Sequence, residues 1–255
     1  MLQIDLTGKI ALVTGATGEL GRVMARTLAS CGADVAVHYH RREAEARALA
    51  EEIAVANGVR SCIVQADVTR REDVERMRDE VAAALGAPDI IVNNAVIQYQ
   101  WTSVLEQAEA DYESQFRSCV LHNVLMAQTF VPAMITNKWG RIIALNTECA
   151  MQCHPSQSAY VAGKRGMDGV LRVLAREVGA HGITVNQVAP GWTLSEGVRD
   201  EATPEHEDYK AKVPLRRRGQ DQDIANAVTF LASDLAAFIT GVYLPVCGGN
   251  VMPAI

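Results

Sequence analysis

The chain of 255 residues is 49% apolar and 21% charged, and its formal net charge at pH 7 is −6. A chain of this length can bury one large core, so we expect one domain across residues 1–255. The net negative charge argues against a surface built for phosphate backbones, and we expect no nucleic-acid partner. The first residues carry no basic segment followed by an apolar one, and no eighteen apolar residues run together. We therefore expect a cytoplasmic protein without a membrane partner.

Six cysteines are scattered along the chain without a Cys-x-x-Cys pair. In a cytoplasmic chain of this size, that pattern predicts reduced thiols in place of disulfides. Cys149 and Cys153 could share a helical face near His154, but a fourth ligand is not in sight. We therefore expect no metal site.

Short β-branched runs alternate with longer segments that carry apolar residues at helical spacing. This alternation predicts an α/β protein with a doubly wound, parallel, seven-stranded sheet and helices on both faces. The predicted strands are Ile10–Val13, Asp34–Tyr39, Ser61–Gln65, Ile90–Val92, Arg141–Leu145, Thr184–Val188 and Val242–Val246. Apolar stripes mark two of the helices; they comprise Leu20, Val23, Met24, Thr27, Leu28 and Cys31 in the first, and Val74, Met77, Val81 and Leu85 in the second.

A glycine-rich turn, TGATGELG, follows the first strand directly. Gly15 permits a tight turn, Gly18 lets backbone N–H groups approach a pyrophosphate, and Gly21 lets the next helix pack closely on the strand. The position of these glycines on a strand-to-helix turn favours nucleotide binding over a merely structural turn. The expected cofactor contacts of this turn are Gly15, Thr17, Gly18, Leu20 and Gly21.

Basic residues follow the second predicted strand. His40, Arg41 and Arg42 stand where NAD-specific sites place a carboxylate for the ribose 2′-hydroxyl. Two guanidinium groups suit a 2′-phosphate, since each offers a rigid fork of donors. The sequence therefore favours NADP(H) over NAD(H), although the same residues could form an idle, solvated first turn of a helix.

The segment SAYVAGK begins a helix that carries Tyr160 and Lys164. Because the two residues are four apart, they share one helical face, where the ammonium can lower the pKa of the phenol towards neutrality. Such a tyrosine can pass a proton to a ketone oxygen. Gly163, Gly166 and Gly169 are unfavourable inside a helix, which indicates that something packs closely against this face. We expect a partner subunit there.

The charged stretch at about 195–212 lies between two regular elements. It is interpreted either as a lid-like insertion over an active site or as a pair of solvated surface helices.

Several separate segments resemble the short-chain dehydrogenase/reductase family, and most closely its single-domain members similar to 3-oxoacyl-[acyl-carrier-protein] reductases. The matching segments are Asp67-Val68, Asn93-Asn94-Ala95, Ser158–Lys164, Pro190-Gly191 and residues 218–249. The resemblance implies a Rossmann fold that transfers a hydride between a nicotinamide cofactor and a carbonyl carbon. It also implies the tetramer usual for similar proteins, which the apolar tail at 251–255 would suit.

The resemblance assigns roles to individual residues. Tyr160 would exchange the proton, Lys164 would support it and contact the cofactor ribose, and Thr147, thirteen residues before the tyrosine, would hold the carbonyl oxygen. The remaining cofactor contacts implied by the resemblance are Asp67, Val68, Asn94, Ala95, Pro190, Gly191 and Thr193. Tyr99, Trp101 and Trp192 follow strand ends; the last two are our candidates for binding an apolar, aromatic or 3-oxoacyl substrate, unless they only pack.

Three residues depart from the family pattern. Glu19 and Val96 replace glycines, and Cys119 replaces an asparagine that helps to hold a proton-relay water. Asn123, one turn later, could substitute for that asparagine, but an ordinary asparagine on the helix surface is the favoured interpretation. These departures keep open an alternative function, a nucleotide-sensing protein with little or no turnover. The preserved tyrosine and lysine argue against a third one, a scaffold without cofactor.

Overall fold

The structure is a computed structural model that describes residues 3–195 and 206–253. Seven parallel strands form one sheet; they are β1 (Ile10–Val13), β2 (Asp34–Tyr39), β3 (Ser61–Gln65), β4 (Ile90–Asn93), β5 (Gly140–Leu145), β6 (Ile183–Pro190) and β9 (Tyr243–Val246). Their order across the sheet is β3-β2-β1-β4-β5-β6-β9. All seven predicted strands are confirmed, with ends that differ by at most two residues.

Two further strands, β7 (Thr193–Leu194) and β8 (Gly219–Gln220), pair separately beside the main sheet. The sequence analysis did not predict them, because two residues are too few to show an alternating pattern.

Helices cover both faces of the main sheet. The helices are α1 (Glu19–Ser30), α2 (Glu43–Asn57), α3 (Arg71–Ala84), α4 (Glu109–Gln115), α5 (His122–Asn137), α6 (Cys149–Gln152), α7 (Ser158–Val178), α8 (Glu207–Lys212) and α9 (Asp221–Ala232). A π-helical turn at Phe116–Leu121 joins α4 to α5, and short 3₁₀ turns lie at Gly179–His181 and Asp234–Ala236.

The two faces have separate hydrophobic cores. Helices α1, α2 and α9 pack on one face, and α3, α5 and α7 pack on the other. Both predicted stripes point at the sheet, since Val23, Met24 and Leu28 of α1 and Val74 and Met77 of α3 are buried. The doubly wound prediction is thus confirmed. Strand order reverses between β1 and β4, and a fold of this kind binds ligands at the carboxyl ends of the strands beside such a reversal.

The helical stretch Glu109–Asn137 is long and apolar enough to cross a bilayer, by length and composition only. More than half of its most apolar window, 56%, is buried inside the protein, and several of its side chains belong to the core on the α3 and α7 face. A helical stretch that is buried in this way is typical of the core of a globular protein.

Candidate active site

A cavity of about 830 Å³ opens at the carboxyl ends of β4, β5 and β6. It extends from the amino end of α1, where Leu20 lines it, to the described end of the stretch predicted as a lid. The three residues predicted to be catalytic line the same cavity: Thr147 after β5, and Tyr160 and Lys164 on α7. The structure therefore brings together groups from distant parts of the chain.

The Lys164 side chain is buried, and its Nζ donates a hydrogen bond to the Leu145 carbonyl at 2.5 Å. Nζ lies 5.7 Å from the centroid of the Tyr160 ring. Burial lowers the pKa of this lysine, because an ammonium is disfavoured away from water.

The pKa of Tyr160 is raised well above its usual value, first by burial and then by the neighbouring Cys149 and Cys119 thiols. A hydrogen bond with the Thr147 hydroxyl opposes this increase. The prediction that Lys164 lowers the pKa of the Tyr160 phenol is therefore wrong for the protein chain without a ligand. The physical reason is that burial outweighs every favourable contact of the phenol.

Thr147 is held in place by groups that the sequence analysis missed. Its N–H donates to Asn146 Oδ1 at 2.9 Å, and its carbonyl accepts a 2.5 Å hydrogen bond from the Tyr243 hydroxyl on β9. Its own Oγ1 accepts from the Cys149 N–H at 3.2 Å. The Thr147 hydroxyl thus contacts both the Cys149 N–H and the Tyr160 phenol on the wall of the cavity.

Two more unpredicted residues fix the amino-terminal turns of α7. Asn146 Nδ2 donates to the Lys164 carbonyl at 3.2 Å, and the Tyr99 hydroxyl accepts from the Tyr160 N–H at 2.8 Å. The sequence analysis places Tyr99 after a strand end but does not predict this contact. No sequence motif signals these roles, because both bonds join segments far apart in the chain.

The glycine-rich turn has the conformation that the sequence predicts. Gly15 has a φ of +62°, and a Cβ on Gly21 would collide with the Gly15 carbonyl and come within 2.9 Å of Ala16 Cα. Gly18 caps the amino end of α1, whose first N–H groups have no acceptor inside the helix. The turn, with Thr17 buried inside it, fits the pyrophosphate of a dinucleotide.

His38 supports this turn from β2 and was not predicted. Its Nδ1 accepts a hydrogen bond from the Gly15 N–H at 2.8 Å, and Nε2 lies 3.0 Å from the Ala66 carbonyl. Burial lowers the pKa of His38 to about 4, so the ring is neutral and can accept at Nδ1.

Asn94 and Ala95, predicted to contact the cofactor, brace the same turn. Asn94 Nδ2 donates to the carbonyls of Thr14 and Gly15 at 3.0 and 3.1 Å, and the Ala95 N–H donates to Thr14 Oγ1 at 3.1 Å. Asn94 also lines the cavity. The side-chain amide of Asn94 thus donates its hydrogen bonds to backbone carbonyls of the glycine-rich turn.

The two departures near the cofactor region both line the cavity. The Glu19 carboxylate forms a 2.5 Å ion pair with Arg22, and 45% of its side chain is exposed. The pair reduces repulsion between this carboxylate and a pyrophosphate. Val96 packs partly on the core, so its side chain is only partly directed at the cavity.

Residues predicted for the adenosine end lie on neighbouring strand ends, because β2 pairs with β3 from Val35 to Tyr39. The exposed residues His40, Arg41 and Arg42 follow β2, and Arg42 forms a 3.0 Å ion pair with Glu45. The residues after β3 form a tight turn.

In that turn, Asp67 Oδ1 accepts from the N–H and hydroxyl of Thr69, at 2.9 and 2.7 Å. Val68 is buried beside it.

Residues predicted for the nicotinamide end follow β6. Pro190 ends the strand, and both Pro190 and Gly191 line the cavity with Thr193. A Cβ on Gly191 would come within 2.7 Å of the Tyr209 hydroxyl and 3.0 Å of Cys247 Cα. This glycine is therefore required by close packing.

The π-helical turn contains Cys119, whose thiol is buried against Gln115 Oε1 at 3.8 Å. Asn123 is also buried, so its interpretation as a helix-surface residue is wrong. Asn123 Nδ2 donates to the Cys119 carbonyl at 2.7 Å, and its Oδ1 accepts from Asn93 at 2.8 Å. The helical periodicity hid this contact, because the extra residue of a π turn shifts the helix face.

The glycines of α7 have a different explanation from the one predicted. A Cβ on Gly163 would lie 2.9 Å from the Gln115 carbonyl, and one on Gly166 would lie 3.0 Å from Val120. The close neighbours of these two glycines are thus the last residue of α4 and the π-helical turn that follows it in the same chain, and the expected partner subunit is not needed to explain them. Gly169 has nothing within 4 Å.

Aromatic side chains line the cavity, and Trp101 and Trp192, the two residues predicted to contact a substrate, are among them. Trp101 stacks on the Tyr160 ring with centroids 6.0 Å apart. The ring centroid of Trp192 lies 4.0 Å from that of His206. It lies 5.4 Å from the ring centroid of Tyr209, and these two rings meet edge to face. Both tryptophans are 45% exposed, so part of each ring is open to a ligand.

Glu148, Tyr209 and Asn250 form a polar cluster on the cavity wall that the sequence analysis missed. Glu148 Oε1 accepts from the Tyr209 hydroxyl at 2.9 Å, and Oε2 accepts from Asn250 Nδ2 at 3.0 Å. The same Tyr209 oxygen accepts from the Trp192 N–H at 2.8 Å. Across residues 3–195 and 206–253, no three His, Cys, Asp or Glu side chains gather as a metal site would require.

Comparison with known proteins defines the class of protein to which this fold and site belong. A family model described as enoyl-(acyl carrier protein) reductase matches residues 15–250. The chain belongs to the short-chain dehydrogenase/reductase family, and it is an NAD(P)-dependent oxidoreductase acting on CH–OH groups.

Relatives match along nearly the whole chain. The 3-oxoacyl-[acyl-carrier-protein] reductase FabG of Staphylococcus epidermidis is 38% identical over 244 residues, 96% of this chain and 99% of the relative. The protein of the same name from Pseudomonas aeruginosa is 36% identical over 250 residues, 98% of this chain and 100% of the relative.

Solved structures share the fold. The reductase LugOII, described as promiscuous and as catalysing a keto-reduction in lugdunomycin biosynthesis, is 31% identical with a TM-score of 0.88, over 97% of this chain and 99% of the other. A putative gluconate dehydrogenase of Agrobacterium tumefaciens is 25% identical with a TM-score of 0.89, over 98% of each chain.

Proposed function

We propose that the chain interconverts a ketone and a secondary alcohol with NADP(H), using Tyr160 as acid and base, Lys164 as its cationic support and Thr147 as the group that holds the carbonyl oxygen. The observation that supports this most is their convergence on one cavity that also reaches the glycine-rich turn. The names of the relatives, both 3-oxoacyl reductases, agree with a ketone as substrate.

A nicotinamide cofactor, when bound, would supply or accept the hydride at the carbonyl carbon. In the reducing direction, the Thr147 hydroxyl donates to the carbonyl oxygen and the Tyr160 hydroxyl gives that oxygen its proton, which completes the alcohol. The raised pKa of Tyr160 keeps the proton on the phenol at neutral pH, which suits this direction. Lys164, four residues later, stabilises the tyrosinate that results.

The preference for NADP(H) over NAD(H) rests on Arg41 and Arg42 beyond β2. Arg42 already pairs with Glu45, so Arg41 is the better placed of the two for a 2′-phosphate. Fluorescence titrations with NADPH and NADH test this, and we expect the dissociation constant for NADPH to be at least about tenfold lower. Equal constants would contradict the preference.

The catalytic assignment is tested with Tyr160→Phe. We expect the rate of ketone reduction to fall by roughly 10²–10⁴-fold, because the acid is lost, while the affinity for NADPH stays nearly unchanged. Tyr112→Phe is the matched control, since Tyr112 hydrogen-bonds Ser158 outside the cavity, and it should keep its rate. A Tyr160→Phe variant with near-full rate would disprove the assignment.

A second candidate function is a nucleotide sensor with little turnover. It is favoured by Cys119 and Val96, which replace residues that the family pattern expects. Tight NADPH binding without reduction of any ketone in a broad panel would select it.

We further propose that the protein is cytoplasmic, forms a single domain and assembles as a tetramer. The lid proposed at 195–212 lies partly outside the described residues. The described part of this stretch includes α8, and Tyr209 of α8 lines the cavity. A lid whose carboxyl end is attached beside the active site would place a residue in this way.

A further inference from the structure

Glu148 is a carboxylate inside the proposed active site that the mechanism above does not use. It directly follows Thr147, lines the same cavity, and exposes only 4% of its surface. Burial raises the pKa of this carboxyl, while hydrogen bonds from Asn250 and Tyr209 oppose the increase. A buried carboxylate needs hydrogen-bond donors to offset its lost hydration.

The donors already present leave room for more. Tyr209 donates to Oε1, Asn250 donates to Oε2, and the Trp192 N–H also favours the ionised carboxyl; all three are neutral groups. An ionised carboxylate has about four acceptor sites, so one site remains for a donor from the cavity that Glu148 lines. One hydroxyl group of a ligand can occupy it.

The rest of the cavity wall fits a hydroxylated ring. The exposed parts of Trp101 and Trp192 offer flat apolar surfaces for the C–H faces of such a ring. Gln152 and His154 lie on the same wall and add groups that can exchange hydrogen bonds with hydroxyls. Sites with a few converging polar groups among aromatic rings fix both the position and the orientation of a ligand.

Charge narrows the class of substrate further. The Glu148 carboxylate repels an acid group close to the reacting carbon. A cationic amine would suit a carboxylate without other partners, whereas the Glu148 carboxylate already accepts hydrogen bonds from three neutral donors. A neutral hydroxyl group would be a fourth donor of the same kind.

We propose that Glu148 is a specificity-determining residue that binds a hydroxyl group on the carbon next to the reacting carbon, so that the substrate is a neutral, vicinally hydroxylated compound such as a sugar or a cyclic polyol. The proposal rests on the proposed function, because the reacting carbon is the one that meets Tyr160. The reaction itself is unchanged: in the oxidising direction the C–H hydride would go to NADP⁺ and the O–H proton to the deprotonated phenol of Tyr160, and in the reducing direction both transfers would be reversed.

Three alcohols that differ in one substituent provide the test: trans-cyclohexane-1,2-diol, trans-2-aminocyclohexanol and cyclohexanol, each oxidised with NADP⁺ by the purified protein. We expect kcat/KM for the diol to exceed that for cyclohexanol at least about tenfold, as a hydrogen bond to a charged group allows. In Glu148→Gln the ratio should fall to within about threefold, mainly through a higher KM for the diol. Glu51→Gln, an exposed carboxylate on α2, should keep the wild-type ratio.

The outcomes separate the two proposals. Reduction of ethyl acetoacetate with NADPH reports the proposed function independently; if neither this ketone nor any alcohol reacts, that function fails and the specificity fails with it. If ethyl acetoacetate reacts but the diol shows no advantage, or the amine is preferred, only the specificity is overturned. Melting temperatures show whether Glu148→Gln folds, and if it does not, the wild-type ratio alone decides.

Discussion

His38 shows how a single buried side chain connects the cofactor turn to the sheet. Its ring lies between the Gly15 N–H and the Ala66 carbonyl, and a charged ring could no longer accept at Nδ1. His122 is buried as well, and burial lowers its pKa to about 3. Both rings are therefore neutral in the folded protein.

This neutrality makes the stability of the protein depend on pH. The folded pKa of His38 is about 4, against 6.5 for a free histidine, so the unfolded chain binds more protons below pH 6.5 and the free energy of unfolding falls as pH decreases towards 4. Between pH 7.5 and pH 5 we expect His38 to account for a loss of about 2 kcal/mol.

Urea unfolding at the two pH values measures this loss. His38→Asn should show a smaller difference between them, whatever its absolute stability, while the exposed His154→Asn should behave like the wild type. An unchanged pH dependence in His38→Asn would show that the ring is not held neutral.

The residues of the proposed site differ in how far the sequence could predict them. Tyr160, Lys164 and Thr147 follow from a local spacing and a family pattern, and the structure places all three on one cavity. His38 and Glu148 could not be predicted, because their roles depend on partners 23 and 61 residues away in the chain. Such pairings exist only after the sheet has formed.

At the scale of elements, β-branched and apolar runs predicted the main strands because β1, β2, β4, β5 and β6 are buried over most of their length. The strands β3 and β9 are only partly buried. The same reasoning failed at the π-helical turn, where one extra residue changes which side chains face α7. The same reasoning predicted a partner subunit at Gly163 and Gly166. A sequence shows that the residues on a helix face have small side chains, but it does not show which element packs against that face.

The glycines of α7 give a prediction for this element. Gly163→Ala should lower the free energy of unfolding by roughly 1–3 kcal/mol, because its Cβ would press on the backbone carbonyl of Gln115. Gly169→Ala, on the same helix but in open space, should raise it by up to about 1 kcal/mol. Urea unfolding compares the two, and equal effects would mean that the π-helical turn does not constrain α7.

At the scale of the whole molecule, β9 is the last strand at one side of the sheet. Phe238, fully exposed, and Leu235, 44% exposed, lie just before it. An open strand edge with apolar side chains beside it favours association with another copy. This surface now supports the proposed tetramer better than the glycines of α7 do.

Light scattering on the eluting protein tests the assembly. We expect a mass of four times 27.6 kDa, and we expect Phe238→Ser to shift the population towards smaller species at micromolar concentration. Val55→Ser, an exposed apolar residue on α2, is the control and should leave the mass unchanged. A monomeric wild type would refute the tetramer.

The contacts of Tyr243 with Thr147 and of Asn250 with Glu148 span 96 and 102 residues. They have a consequence for biosynthesis. A nascent chain on the ribosome can form neither bond before residues 243 and 250 have emerged, even though the glycine-rich turn was translated long before. The proposed active site is therefore completed later in synthesis than the turn at which the cofactor is expected to bind.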